Sequence, residues 1–250
     1  MEQKPRMTLN QSVVSRLMGR YYSQRGEDPL DAAFCAYVRP GMKVLDAGCG
    51  WYRGYSRAAP LKEIYIMGID IDPRVHENPY CNETMVCDLS KRLPLPDASF
   101  DIVHCRWVIE HLENPLQTLR EFARVLKPDG YVLALTSNLF HYAMIAARIT
   151  PYWFHAWWQR KGEGQIFPTC YRGNSRRKLR HLCKDAGLQV KRLQLFEGPP
   201  HYLARYWPLF LCGVLYERIV NTTSTLQWMR QQIVLEAQKP SEHFDRKGDK

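Results

Sequence analysis

The stretch Val44-Leu45-Asp46-Ala47-Gly48-Cys49-Gly50 decides how the rest of the chain is read. A short apolar run closes on an acid and then breaks into two glycines one residue apart. Such a turn at the carboxyl end of a strand lets backbone N–H groups approach a ligand where a helix begins. Working outward, the strand MKVLDAG (42–48) is followed by EIYIMGID (63–70), ETMVCDL (83–89), FDIVHCR (100–106) and GYVLALTSN (130–138), each a short apolar run ending in polar residues or glycine. Helical periods lie among them. LDAAFCAYV (30–38) closes at Arg39-Pro40-Gly41, and LQTLREFARVL (116–126) carries Leu116, Leu119, Phe122, Ala123 and Leu126 on one stripe. Lys127-Pro128-Asp129-Gly130 is expected to stop that helix sharply. Strands alternating with helices argue for a parallel sheet covered on both faces.

The second half repeats the pattern once and then breaks it. Asn174 or Ser175 can cap a helix running to Ala186, with Gly187 as its C-cap, and LQVKRLQLFEG (188–198) reads as a strand. QQIVLEAQKP (231–240) is a last strand reached without a crossover pattern, which predicts an antiparallel addition to an otherwise parallel sheet. The aromatic-rich stretches 139–173 and 199–230 are read as acceptor-side insertions. A helical extension is expected over 1–27, the main domain over 28–240 and a frayed tail over 241–250.

Two acids complete the first glycine turn. The second strand ends in Gly68-Ile69-Asp70, where a carboxylate can accept two hydrogen bonds from the vicinal hydroxyls of a ribose. The third ends in Cys87-Asp88-Leu89, placed to accept from an adenine amino group. All three features fall at carboxyl ends of adjacent strands, where open α/β sheets bind ligands. Gly48, Gly50 and Gly54 also spell a loose dinucleotide fingerprint. Against it, Asp46 stands two residues before the first glycine, where a pyrophosphate gains nothing from a carboxylate. A ligand carrying an ammonium and a sulfonium does gain.

With these residues in view, VLDAGCG, GID, CDL, LPLPDASFDIVHCRWVIEHLENP and LKPDGYVLALTSN together resemble the class I S-adenosylmethionine-dependent methyltransferases of the quinone-biosynthesis type, closely over 28–138 and more loosely over 174–198 and 231–239. The resemblance implies a Rossmann-like α/β fold with a seven-stranded, mostly parallel sheet in the order 3-2-1-4-5-7-6, the last-added strand antiparallel. It implies S-adenosylmethionine as cofactor, held by Asp46, Gly48, Cys49, Gly50, Asp70, Ile71, Asp88, Leu89 and Cys105. His104, Cys105 and Arg106 should end the fourth strand beside the sulfonium. Tyr52 stands where many relatives have a third glycine. The aromatic stretches are also similar to segments of bacterial methyltransferases associated with surface-saccharide synthesis.

Methyl transfer is an in-line displacement in which alignment supplies much of the rate, and a base is needed only for a protonated nucleophile. His104, His111, His141 and His155 are the candidates by location. His141 follows the fifth strand closely and is the one singled out, with packing in a lid helix as the competing reading. Aromatic side chains of the first insertion (Tyr142, Tyr152, Trp153, Phe154, Trp157, Trp158, Phe167 and Tyr171) and of the second (Tyr202, Tyr206, Trp207, Phe210, Tyr216 and Trp228) suit a ring, a sugar or a lipid chain.

Composition bounds the rest. Hydrophobic residues at 45% and charged residues at 24% in 250 residues describe an ordinary globular chain. The N-terminal stretch has no signal-peptide run, and eight cysteines without a C-x-x-C spacing suggest neither a metal site nor a disulfide framework, so a cytoplasmic setting is expected. The net charge of +10 is concentrated at Arg172, Arg176, Arg177, Lys178, Arg180, Lys184, Lys191 and Arg192, with Asp185 as the acid among them. That cluster keeps an RNA substrate as an alternative, although no RNA-binding module is visible. A small-molecule, saccharide or lipid-linked acceptor is the first reading, nucleic acid is disfavoured, and a non-catalytic cofactor-binding protein is a further alternative. The segment 202–220 is too short and too charged to span a bilayer. It is read as a lid that leaves room for peripheral membrane contact.

Overall fold

The computed structural model describes residues 9–22, 28–51, 61–150, 168–204 and 206–241. Seven strands form one sheet: β1 (Lys43–Ala47), β2 (Tyr65–Asp70), β3 (Glu83–Val86), β4 (Phe100–Arg106), β5 (Leu126–Ser137), β6 (Gln189–Phe196) and β7 (Gln232–Gln238). Their order is β3-β2-β1-β4-β5-β7-β6. The first five run parallel, while β7 is antiparallel to both β5 and β6. The described helices are α1 (Leu9–Tyr22), α2 (Pro29–Tyr37), α3 (Pro115–Val125), α4 (Tyr142–Ile149), α5 (Arg176–Asp185) and α6 (Trp207–Thr222).

Alternation along the central strands builds two cores. Val44, Ile66, Ile102, Leu133 and Val234 face Leu30, Phe34 and Val38 of the α2 side. Their neighbours Leu45, Met67, Val103, Val132 and Leu235 belong to the opposite core, with Phe122 of α3 and Leu179 and Leu182 of α5. Covering both faces is why β1 and β2 carry continuous apolar runs instead of a polar alternation. Phe34, Phe122 and Leu45 are wholly buried, each worth about 1.5–3 kcal/mol against exposure. Antiparallel β7 follows from its connection. The segment between Phe196 and Gln232 stays at the carboxyl edge of the parallel strands, so the chain must return in the opposite direction.

Helix ends follow the side chains that flank them. Asn114 Oδ1 accepts from the Gln117 amide at 3.3 Å ahead of Pro115, and Ser175 Oγ accepts from the Lys178 amide at 3.3 Å. α3 stops at Val125, just ahead of 127–130 as the sequence reading expects, but the next strand begins earlier than expected. Leu126 already pairs with Phe100, the register then shifts, and pairing resumes at Ile102 with Tyr131. The turn-forming residues are absorbed as an irregularity inside β5. Asp129 has φ +63°, and its amide is held by the Lys239 carbonyl at 2.9 Å. No helix among the described residues is long and apolar enough to cross a membrane.

Arg124 near the end of α3 fastens the 93–99 loop. It donates to the Leu95 carbonyl at 2.7 Å, the Leu93 carbonyl at 2.9 Å and Glu121 Oε2 at 2.7 Å. The guanidinium holds the Glu121 carboxyl below the usual carboxylate range. This stabilisation is therefore present above about pH 4.3, the ordinary glutamate value, and is lost as pH falls through the depressed one. Arg124→Met should cost about 2–4 kcal/mol in urea unfolding at neutral pH and flatten the acid limb of the stability curve. A loss within experimental error would show that the loop is held by other contacts.

Candidate functional site

At the end of β1 the chain turns through Gly48 (φ +79°) and Gly50 (φ +61°). The Gly48 amide donates to the Ile69 carbonyl at 2.7 Å, folding the turn over the end of β2. A Cβ on Gly48 would lie 2.2 Å from Cγ2 of Val108, so the first loop closes against the segment that follows β4. The Gly50 amide donates to Asp70 Oδ2 at 2.9 Å, and the Asp72 amide to Asp70 Oδ1 at 2.9 Å. Each Asp70 oxygen is thereby fixed by one backbone donor and retains a lone pair for a ligand. Asp88 Oδ1 accepts from the Ser90 amide at 2.9 Å and the Ser90 hydroxyl at 2.6 Å, and these bonds hold its carboxyl below the usual range.

These loops enclose a cavity of about 520 Å³, the size of a small-molecule pocket. Its wall contains Gly48, Cys49, Gly50 and Trp51 from the first loop, Asp70, Ile71 and Asp72 after β2, and Cys87, Asp88, Leu89 and Ser90 after β3. Arg106, Trp107, Val108, His111, Leu112, Glu113 and Pro168 complete it. Arg106 was expected beside the site, but two sets of contacts that support this wall were not visible in sequence. The Arg74 guanidinium stacks 3.5 Å from the Trp51 ring centroid while it grips Asp72. Arg106 is held at 3.0 Å by both oxygens of Asp28 and at 2.6 Å by Asp31, which are far away in the chain. Trp107 adopts φ +57°, a left-handed backbone that is uncommon for a bulky residue.

Seven of the nine residues expected around the cofactor stand in this wall; Asp46 and Cys105 do not. Asp46 Oδ1 bonds His104 Nδ1 at 2.9 Å across the β1–β4 pairing, and both side chains are buried. Cys105 points into the α3-side core, where burial pushes its thiol up. The alternation of β4 sends its side chain away from the sheet edge. Tyr52 and His155 lie outside the described residues.

The remaining histidines separate by location. His141 is wholly buried and is absent from the cavity wall. Its Nδ1 accepts from the Ala143 amide at 3.3 Å and caps α4, which leaves the proton on Nε2, facing Glu197 Oε1 at 3.4 Å. Tyr142, Tyr202 and Tyr216 pack around it, and a hydrogen bond joins the first two hydroxyls. Burial pushes all three phenols up. The cluster ties α4 and α6 to the end of β6. His111 does stand in the cavity wall. Its Nδ1 lies 2.9 Å from the Pro168 carbonyl, which can only accept, so Nδ1 carries the proton and Nε2 the lone pair. Behind it the buried Glu110 accepts from the Thr136 hydroxyl at 2.8 Å, and burial raises its carboxyl.

Comparison with known proteins places this architecture. The family model described as a methyltransferase domain matches residues 45–134. The ubiquinone/menaquinone biosynthesis C-methyltransferase UbiE of Bordetella parapertussis is 36% identical over 110 residues, 40% of this chain and 42% of that protein. The malonyl-[acyl-carrier protein] O-methyltransferase of Erwinia pyrifoliae is 30% identical over 141 residues, 52% of this chain and 53% of that protein. Among solved structures, a SAM-dependent methyltransferase from Methanosarcina mazei superposes with a TM-score of 0.56 at 18% identity, covering 87% of this chain and all of that one. The [4+2]-cyclase SpnF superposes at 0.52 with 18% identity, covering 85% and 81%. Residues 45–134 of this chain are thus similar to methyltransferase domains, and the fold around them is that of the solved methyltransferases. The chain's matches span about half or less of the length of these curated relatives.

The close approach of Gly48 and Val108 gives a direct test of the wall. Gly48→Ala adds a methyl at a left-handed position and against Cγ2 of Val108. It should weaken S-adenosylhomocysteine binding by roughly 1–3 kcal/mol, the cost of overpacking and backbone strain. Combining it with Val108→Ala should recover the steric part but not the backbone part in calorimetry. Equal loss in the single and double variants would show that the contact does not matter.

Proposed function

We propose that this protein transfers a methyl group from S-adenosylmethionine to a small-molecule, saccharide or lipid-linked acceptor. The observation that carries the reading is the convergence of the glycine turn, Asp70 and Asp88 on one cavity. The side chains of this wall fit the cofactor chemically. Asp70 presents two fixed oxygens for ribose hydroxyls, Asp88 offers an acceptor for the adenine amino group, and Leu89 and the exposed Ile71 give apolar surface for the ring. Gly48 and Gly50 face the methionine end. When bound, S-adenosylmethionine supplies a methyl group made electrophilic by its sulfonium.

The chain's own residues align the partners and manage a proton. Trp107 and Val108 form the apolar wall after β4 and exclude water. His111 Nε2 takes the proton of an acceptor that arrives protonated, with the Pro168 carbonyl holding its tautomer. This role replaces the one assigned to His141, whose ring caps α4. The insertions 139–173 and 199–230 form the acceptor side. On α6, Leu211, Leu215 and Ile219 form an exposed apolar stripe opposite the buried Phe210 and Val214, which supports an acceptor with an apolar portion and peripheral contact with a membrane.

An RNA acceptor is favoured by one observation. Arg176, Arg177, Lys178, Arg180 and Lys184 on α5 are exposed and make no ion pair among the described residues. They are not part of the cavity wall. Incubating lipid, saccharide and RNA extracts with methyl-labelled cofactor separates these readings by the fraction that takes up label. Binding without transfer to any fraction would leave a non-catalytic cofactor-binding protein.

Asp70→Ala should weaken cofactor binding by roughly 2–4 kcal/mol in calorimetry, the scale of losing charge-assisted hydrogen bonds to a buried ligand. Asp88→Ala should cost less, because one contact is lost while the ring keeps its apolar surface. His111→Gln should leave cofactor affinity within about twofold and reduce transfer roughly 10²-fold or more, the contribution of a positioned base. Wild-type affinity in Asp70→Ala would remove the ribose assignment, and undiminished transfer by His111→Gln would remove the base.

A further inference from the structure

Gly68 lies in the middle of β2, paired with Asp46 of β1 on one side and Thr84 of β3 on the other. A Cβ placed on it would lie 2.5 Å from the sulfur of Cys81 and 2.7 Å from the sulfur of Cys49. Two thiols distant in sequence therefore share the space that the missing side chain leaves open. Both sulfurs lie close to that one point, and the Cys81 thiol, ahead of burial, pushes the Cys49 thiol up. Cys49 is buried and stands in the cavity wall between the two left-handed glycines, whereas Cys81 is half-buried.

The geometry points to Cys49 and Cys81 as a site of oxidative modification, a pair that hydrogen peroxide converts to a disulfide bridging the glycine turn to the segment before β3. Cys81, the less buried residue of the two, meets the oxidant first. Its thiol and one peroxide give a sulfenic acid and one water. The Cys49 sulfur then attacks the Cys81 sulfur, and the sulfenic hydroxyl leaves with the Cys49 proton as a second water. Each sulfur is oxidised by one electron equivalent and the peroxide is reduced by two. The neighbouring Cys81 thiol and burial make Cys49 a slow nucleophile towards outside reagents, but the shared space beside Gly68 makes this second step intramolecular.

Closing the bond would act on the cavity because Cys49 stands in its wall. A disulfide requires the sulfurs to approach to about 2.05 Å, closer than two thiols in contact. The Cys81 side is fixed next door: the Asn82 amide donates to the Ile66 carbonyl at 2.8 Å, and Asn82 Oδ1 accepts from the Ile66 amide at 2.7 Å. The Cys49 side is a turn between two glycines, steadied by Asn78 Nδ2 on the Cys49 and Gly50 carbonyls at 3.3 and 3.1 Å. Drawing Cys49 towards Cys81 strains this turn, from which the Gly50 amide reaches Asp70. Cofactor binding should weaken on oxidation and return on reduction. This consequence rests on the cofactor reading above, whereas formation of the bond does not.

The test uses the full chain, reduced and then treated with hydrogen peroxide. After free thiols are blocked, non-reducing peptide mapping should show the Cys49 and Cys81 peptides joined, lighter than their sum by two hydrogen atoms. Dithiothreitol should separate them. Affinity for S-adenosylhomocysteine should fall roughly tenfold or more in the oxidised protein, the scale for displacing a positioned wall by about 1 Å. Cys81→Ala should bind in the reduced state and no longer respond to peroxide. Sulfinic or sulfonic acid at Cys81 without the cross-link, or a cross-link to another cysteine, would overturn the pair. The expected cross-link with unchanged affinity would overturn its coupling to the cavity. Failure of the reduced wild-type protein to bind the ligand would instead overturn the cofactor reading, and the mapping would still decide the pair.

Discussion

The hydrogen bond from the Gly48 amide to the Ile69 carbonyl fixes where β1 stops and in which direction the chain leaves it. At φ +79°, without a Cβ, the backbone turns over β2 and lies against Val108, a path that a side chain at this position would block. The next amide but one, from Gly50, then lands on Asp70. One turn thereby orients the acid at the end of β2 and closes the cavity against the segment after β4. The glycines contribute here through what they lack, since neither could carry a side chain without strain.

Much of this was legible in the sequence because it depends on local signals. Apolar runs ending in glycine or acid located the strands, and the missing crossover before QIVLEAQ indicated the reversed strand now seen between β5 and β6. Long-range pairing was not legible. Asp46 looked like a ligand-facing acid, yet the register of β1 against β4 places it beside His104. Cys105 looked like part of the site edge, yet the two-residue period of β4 sends it into the core. The three described histidine candidates could be sorted only by contacts made with other segments. The helix cap at His141 and the carbonyl of Pro168 at His111 are such contacts. The early start of β5 at Leu126 was hidden for a related reason. Pairing with β4 and the bond to Lys239 override a strong local preference.

The carboxyl edge of the sheet carries two kinds of polar structure with different consequences. Around the cavity, oxygens are held by backbone donors and keep lone pairs for a ligand, as at Asp70. Around His141, the polar atoms are turned towards one another inside a shell of tyrosine rings. Such a network is costly to leave incomplete, so it fixes α4 and α6 over the ends of β5 and β6. Rigidity at this edge can therefore come from a cluster that is not part of the cavity wall.

Arg106 extends the site in a different direction. Its guanidinium belongs to the cavity wall, while its partners Asp28 and Asp31 belong to the start of α2, where Asp28 also caps the helix through the Leu30 and Asp31 amides. A bidentate pair of this kind is directional and resists being made in a second geometry. The occupant of the cavity and the first turn of α2 are consequently linked partners in the thermodynamic sense. A ligand that draws on Arg106 alters the free energy of that helix end, and a change there alters the ligand's affinity by the same amount.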